Sequence, residues 1–255
     1  MRLYLTACLL FALTTSVTAW ADPAPPASTA SAPAAATGTT SPQKKAWDSS
    51  IEVGAVVSTG NTDQRSFKFR ADTEHDGPRM RHTFHIDAFR QNQDGVVTAD
   101  KFYGSYQADY KLTDPNALFG RFSYESDKFS GFAYQEDLTF GYTRRLLNRP
   151  NMALQGDIGA GARHSKLEGD GSTDESIVRL ALKYKWQISE SALFKQNLSA
   201  ESGNNSIYRS ETSLQTTIVG SLAMKLSYMV KHQTKVPVGF KQTDTETSLT
   251  AVYSF

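Results

Sequence analysis

Leu249-Thr250-Ala251-Val252-Tyr253-Ser254-Phe255 closes the sequence, and the two faces of this stretch decide the fold. Side chains alternate along a β-strand, so Leu249, Ala251, Tyr253 and Phe255 share one face and Thr250, Val252 and Ser254 the other. An apolar, aromatic-tipped edge strand is a liability in a water-soluble sheet, because its unpaired backbone groups template aggregation. The same strand is accommodated if its apolar face meets lipid and its edge closes a barrel.

The alternation extends back to Trp47. It is clearest over 175–187, where Val178, Leu180, Leu182, Tyr184 and Trp186 oppose Arg179, Lys183 and Lys185. Turn and loop residues divide 47–255 into strands at 47–59, 62–74, 79–91, 99–112, 118–127, 135–146, 152–163, 175–187, 192–202, 207–218 and 222–233, plus the terminal one. Gly60-Asn61 reads as a tight hairpin turn. Segments 92–98, 129–134, 166–174 and 234–241 read as longer loops.

About twelve strands of ~10–13 residues fit the apolar band of a bilayer when tilted, whereas soluble sandwiches use shorter strands. The fold class is therefore all-β, a transmembrane antiparallel up-and-down β-barrel. With both ends of the sheet in the periplasm, the even-numbered connections are periplasmic and short, and most odd-numbered ones are longer. Trp47, Tyr110, Tyr142, Trp186, Phe194, Tyr253 and Phe255 gather at the periplasmic end as an interfacial girdle.

The polar parity lines the lumen. Its candidates are Lys68, Arg70, Arg81, His85, Asp87, Asp109, Arg121, Glu125, Asp127, Asp137, Arg145, Asp157, Arg163, Arg179 and Lys183. Acidic and basic residues nearly balance there, so they can pair across the lumen and narrow it. Glu125, Asp127 and Lys128 are expected at the outer mouth, gating or selecting solutes or pairing with Arg121.

Arg2, the apolar run 3–13 and Ala19-Trp20-Ala21 form a secretory signal peptide over 1–21. Residues 22–46 are rich in Pro, Ala, Ser and Thr and are expected to be a disordered periplasmic tether. These features place the protein in the outer membrane of a Gram-negative bacterium. Cys8 is the only cysteine and falls in the signal, which excludes disulfides, cysteine zinc sites and cysteine nucleophiles from the exported chain. A net charge of +1 argues against nucleic acid as a partner. The acidic, Gly-rich stretch 168–175 offers oxygen ligands but lacks EF-hand spacing, so no metal and no cofactor are expected.

Ser58-Thr59-Gly60-Asn61-Thr62, Tyr124-Glu125-Ser126-Asp127-Lys128-Phe129, Phe140-Gly141-Tyr142 and Gly159-Ala160-Gly161 occur in that order. Together they resemble the YdiY-like family, whose members are often labelled salt-induced or acid-induced outer membrane proteins. The resemblance covers 47–255. It implies an outer-membrane barrel without an established activity and transfers no catalytic residues. Leu249, Ala251, Tyr253 and Phe255 also resemble the terminal-strand signature that the barrel-assembly machinery reads. That implies the machinery, periplasmic chaperones in transit, and outer-membrane lipid and lipopolysaccharide as partners.

Two functions follow. One is a narrow solute pore or a structural envelope protein serving under osmotic or acid stress. The alternative is a lipid-modifying enzyme of the phospholipase or deacylase type. His82, His164 and His232 have lipid-facing parity, and His232 with Ser210 on the neighbouring strand is the nearest base and nucleophile, though no local nucleophile motif supports them. His85 points into the lumen among Arg81 and Asp87, as part of a charge network.

Overall fold

A computed structural model describes residues 46–58, 64–169 and 171–255. The twelve strands are β1 (Trp47–Ser58), β2 (Gln64–Asp76), β3 (Met80–Gln93), β4 (Val96–Lys111), β5 (Asn116–Asp127), β6 (Phe132–Arg149), β7 (Met152–Leu167), β8 (Ser172–Gln187), β9 (Ala192–Ser202), β10 (Ile207–Val219), β11 (Leu222–Gln233) and β12 (Thr243–Ser254). Each pairs antiparallel with the next, and β12 returns to β1, giving a closed barrel. No helix among the described residues is long and apolar enough to cross a membrane. The strands cross it instead. Hydrocarbon offers no partner to a free N–H or C=O, so a sheet in lipid must close on itself.

Exposure is inverted relative to a soluble domain. Phe140 is 61% exposed and Leu180 50%, whereas Arg163 and Glu201 are 0% exposed. One parity of every strand carries the apolar set to the outside, as the sequence pattern requires. Trp47, Tyr110, Tyr253 and Phe255 are exposed at the end where β1 begins and β12 stops, the near end. There Trp47 packs on His75 at 4.3 Å between ring centroids, and Tyr253 lies 6.2 Å from Phe255.

The closing seam is short. Ser50–Val53 stand opposite Ala251–Ser254, whereas β1 pairs with β2 from Trp47 to Ser58. Above Val53, side chains brace the seam instead. Lys68 on β2 reaches past β1 to Glu246 on β12.

On the inner wall from β5 to β7 one aromatic side chain enters an otherwise polar lumen. Phe119 is buried and lies over glycines of β6 and β7. A Cβ on Gly141 would come within 2.8 Å of the Phe119 ring, and one on Gly159 within 2.9 Å. The Phe-Gly-Tyr and Gly-Ala-Gly motifs are thus seats for a lumen aromatic.

The strands run further than the sequence suggests. Segment 92–98 contracts to a turn at Asp94-Gly95, with φ of 51° and 82°. Two successive positive φ values match the twist of a right-handed hairpin. Likewise 129–134 and 166–174 shrink to connections at 128–131 and 168–171. The loop residues there, Tyr134 and Thr173 among them, join the ladder because unpaired backbone gains by extending it. Among fully described odd-numbered connections only 234–242 is long, so the contrast between the two ends is weaker than expected. The Gly60-Asn61 turn, the export signal and the segment 22–45 fall outside the described residues.

Two substitutions test the assigned faces. Leu180→Arg, at the lipid-facing middle of β8, is expected to cost ~2–4 kcal/mol. Asn197→Leu, inward and exposed on β9, should cost under about 1 kcal/mol. Denaturant unfolding in lipid vesicles measures both, and equal losses would contradict the parity.

Candidate functional site: a lumen closed by paired charges

Inward parity brings ionised side chains from opposite walls into a space too narrow to keep them all hydrated. An isolated buried charge is costly, so each carboxylate is used more than once. The densest cluster lies toward the far end, opposite Trp47 and Phe255. Glu201 on β9 accepts from Arg163 Nη2 at 2.7 Å, from Arg209 Nη1 at 2.8 Å and from Arg179. Arg163 also donates through Nε to Asp137 at 2.7 Å and through Nη1 to the Asn205 carbonyl at 3.0 Å.

This cluster extends across the lumen. Arg209 on β10 donates through Nη2 to Glu125 on β5 at 2.6 Å, and Lys231 on β11 donates to the other Glu125 oxygen at 2.5 Å. β5 lies on the opposite side of the barrel from β10 and β11. The three side chains therefore form a chord across the lumen. The Arg209 guanidinium sits 5.7 Å from the Tyr103 ring centre on β4, and Arg121 donates to the Tyr103 hydroxyl. Next to this layer Gln233 on β11 donates to Gln135 on β6 at 3.2 Å, a second bridge between the walls.

Two further groups brace the rest. Near the seam, Arg70 holds Asp87 at 2.8 Å and also Glu211, while Lys225 holds Glu52 at 2.9 Å. Toward the near end, Arg81 donates to Asp109 at 3.1 Å, and the single Thr143 hydroxyl proton is shared between Asp109 at 3.2 Å and Asp157 at 3.0 Å.

The fifteen lumen candidates divide accordingly. Arg163, Asp137, Arg179 and Glu125 belong to the closing cluster, with Arg121 attached through Tyr103. Lys68, Arg70 and Asp87 brace the seam, and Arg81, Asp109 and Asp157 form the near group. Several expected pairings are replaced. Glu125 goes to Arg209 and Lys231 rather than to Arg121; Asp127 takes Lys101 at 3.1 Å, and Lys128 takes Asp100 at 2.5 Å. His85 bonds Asp72 at 2.6 Å, not its strand neighbours, because Arg81 and Asp87 are engaged elsewhere. Among the described residues Arg145 forms no ion pair, and Lys183 comes only within 4.0 Å of Asp157.

Glu201, Arg209, Glu211, Lys231 and Tyr103 are central here and absent from the sequence candidates. The lipid-facing positions of β9 and β10 include Gln196, Ser202, Ser210, Thr212 and Thr216, which blurs the alternation that would have assigned Glu201, Arg209 and Glu211 inward. Tyr103 is aromatic on a lumen position, against the general pattern.

The long connection 234–242 folds over the far mouth. A Cβ on Gly131, in the β5–β6 turn, would lie 2.7 Å from Pro237 and 2.8 Å from the Phe240 ring. The loop thus spans from β11 to the far wall. It is pinned on the way, with Lys235 N donating to Asn205 Oδ1 at 3.1 Å and Thr234 N to the Ser206 carbonyl at 3.0 Å. A cavity of about 470 Å³ remains beneath it, between Phe132, Glu175, Asn205 and Pro237.

On the outer face His232 and Ser210 are not hydrogen-bonded to each other. Its Nδ1 bonds the Thr243 hydroxyl at 2.8 Å, while Ser210 pairs with Gln196 at 3.2 Å. In the register Ser210 stands opposite Val230 and His232 opposite Tyr208. Both line a shallow apolar depression that faces lipid. His82 bonds Tyr106 at 2.8 Å and His164 bonds Asp174 at 2.6 Å. No group of His, Cys, Asp or Glu able to hold a metal ion occurs among the described residues, Asp170 lying outside them.

Glu201→Gln makes the partner shared by Arg163, Arg179 and Arg209 neutral, leaving Arg163 with Asp137 and Arg209 with Glu125. A loss of about 3–5 kcal/mol is expected on chemical unfolding. Adding Arg179→Met should recover part of it, and no recovery would show that Glu201 does not bind these arginines as a unit.

Residues 51–255 match the family model described as "Protein of unknown function, DUF481". The "Uncharacterized protein YdiY" of Escherichia coli (strain K12) is 26% identical over 214 residues, covering 83% of this chain and 84% of that protein. Among solved structures, the NanC porin is 9% identical with a TM-score of 0.49, covering 82% of this chain and 98% of that one. The COG4313 outer membrane channel from Pseudomonas putida F1 is 8% identical with a TM-score of 0.48, covering 87% and 100%. The translocator domain of autotransporter NalP from Neisseria meningitidis is 12% identical with a TM-score of 0.44, covering 84% and 90%.

Proposed function

The chain belongs to the DUF481 family of proteins of unknown function, and we propose that it forms a narrow, normally closed pore for small solutes in the outer membrane. The observation that carries this reading is the chord from Glu125 to Arg209 and Lys231. A barrel that only needed filling would do so as well or better with apolar side chains, since buried ion pairs seldom beat hydrophobic packing of similar volume. Charges held across a lumen do something apolar filling does not. They can separate, be hydrated and leave a polar path.

The remaining features fit a closed state of such a path. The loop 234–242 covers one mouth, while Lys185 and Asn197 are inward yet exposed toward the other. On this reading the signal at 1–21 exports the chain, with periplasmic chaperones in transit. The assembly machinery inserts it through Leu249, Ala251, Tyr253 and Phe255, and its outward face meets outer-membrane lipid and lipopolysaccharide. A role in osmotic or acid stress accords with the labels carried by the YdiY-like proteins it resembles.

Planar-bilayer recording tests the pore. Wild-type protein should be mostly closed, with brief discrete openings. Glu125→Ala, which removes the acceptor shared by Arg209 and Lys231, should raise both open time and unit conductance. Silence of both proteins, with folding verified, would overturn the proposal.

A further inference from the structure

The charges of the lumen are not evenly neutralised along its length. Lys185 on β8 and Lys195 on β9 stand directly opposite each other in the register, near the ends of their strands that face the near mouth. Both have inward parity, Lys185 with Arg179 and Lys195 with Glu201. Directly opposed like charges on neighbouring strands, with Cβ atoms about 4.5–5.5 Å apart, destabilise a sheet. Neither lysine forms an ion pair with a carboxylate among the described residues, although Lys68, Arg70, Arg163, Arg209, Lys225 and Lys231 all do.

The neighbouring row adds to the imbalance. Arg145 on β6 stands opposite Gln155, Gln155 opposite Lys183, and Lys183 opposite Asn197. Arg145 is also without an ion pair among the described residues. The carboxylate next to this row, Asp157, has its Oδ1 within hydrogen-bond distance of Thr143 and Gln155, and its Oδ2 is 4.0 Å from Lys183. Lys185 and Asn197 are exposed although they face inward, so water reaches this wall. The opposite wall carries Glu52, Asp72, Glu74 and Asp109 on its inward parity, but there Lys225, His85 and Arg81 hold Glu52, Asp72 and Asp109, so the unmatched cations are those of β6, β8 and β9.

We infer that Lys185, Lys195 and Arg145 form a binding site for a water-soluble oxyanion, a phosphate or carboxylate group, in the near half of the lumen. The juxtaposed cations cost stability in the empty barrel and repay it when an anion bridges them through charge-assisted hydrogen bonds. Asn197 and Gln155 are placed beside them to take part in orienting the anion. The site needs the barrel and its inward parity but not conduction.

Inorganic phosphate is the probe, with the full-length barrel in neutral detergent and chloride at matched ionic strength as the reference. Phosphate should raise the unfolding temperature saturably beyond chloride, because a ligand that binds only the folded state stabilises it. The Lys185→Gln/Lys195→Gln double variant should bind phosphate at least about tenfold more weakly by calorimetry. Lys185→Glu turns the repulsive pair into an attractive one. It should melt higher without phosphate and lose the phosphate increment. Phosphate acting no differently from chloride, or equally on wild type and variants, would overturn the inference. Because binding is read in detergent, a barrel that is silent in bilayers yet binds phosphate keeps this site and loses only the pore; a conducting barrel that ignores phosphate does the reverse.

Discussion

Hydrocarbon gives an unpaired amide or carbonyl nothing to bond, and every other feature of this molecule descends from that constraint. It closes the sheet, sends one parity of each strand to lipid and leaves the other parity to hold most of the charge. Confining so many charges to a lumen of twelve strands then forces them to share partners. Glu201 serves three arginines, and Glu125 serves a cation on each of two strands across the barrel. The closing layer is thus a consequence of solvation on the outside as much as of attraction on the inside. The same ion pairs also support the wall, since Lys68–Glu246 crosses the seam where the β1–β12 ladder has stopped.

Much of this architecture was legible in the residues. A strand such as β8, with Leu180 and Leu182 against Arg179 and Lys183, declares both its type and its faces. β9 and β11 have the bounds that their patterns suggest, 192–202 and 222–233. What misled was polarity in turn-like residues. Asn92, Asp94 and Gly95 look like part of a loop, yet a hairpin needs only two of them at positive φ, and the others continue the ladder.

The lumen was legible by face and not by partner. Parity identifies which side chains point inward on a well-patterned strand, but it cannot say which residue waits on the opposite wall. That depends on stagger accumulated over the whole barrel. Hence Arg121, close in sequence to Glu125, looked like its partner, while the actual partners Arg209 and Lys231 come from strands on the other side. Glu201 and Arg209 were harder still, because β9 and β10 show lipid Ser, Thr and Gln as well as apolar residues. The resulting lumen is polarised along its axis. Its far half is crossed by ion pairs and covered by the loop 234–242, and its near half keeps Lys185 and Lys195 outside any ion pair among the described residues, Lys185 open to water.

That asymmetry is the central claim, and thiol accessibility tests it directly. Asn197→Cys, in a chain with Cys8 replaced by Ser, would be inserted in one orientation in sealed vesicles and exposed to a membrane-impermeant thiol reagent from each side. The thiol should react rapidly from the side of Trp47 and Phe255 and remain unmodified from the side of the loop 234–242. Equal reaction from both sides, or none from either, would contradict a lumen open at one end and closed by charge at the other.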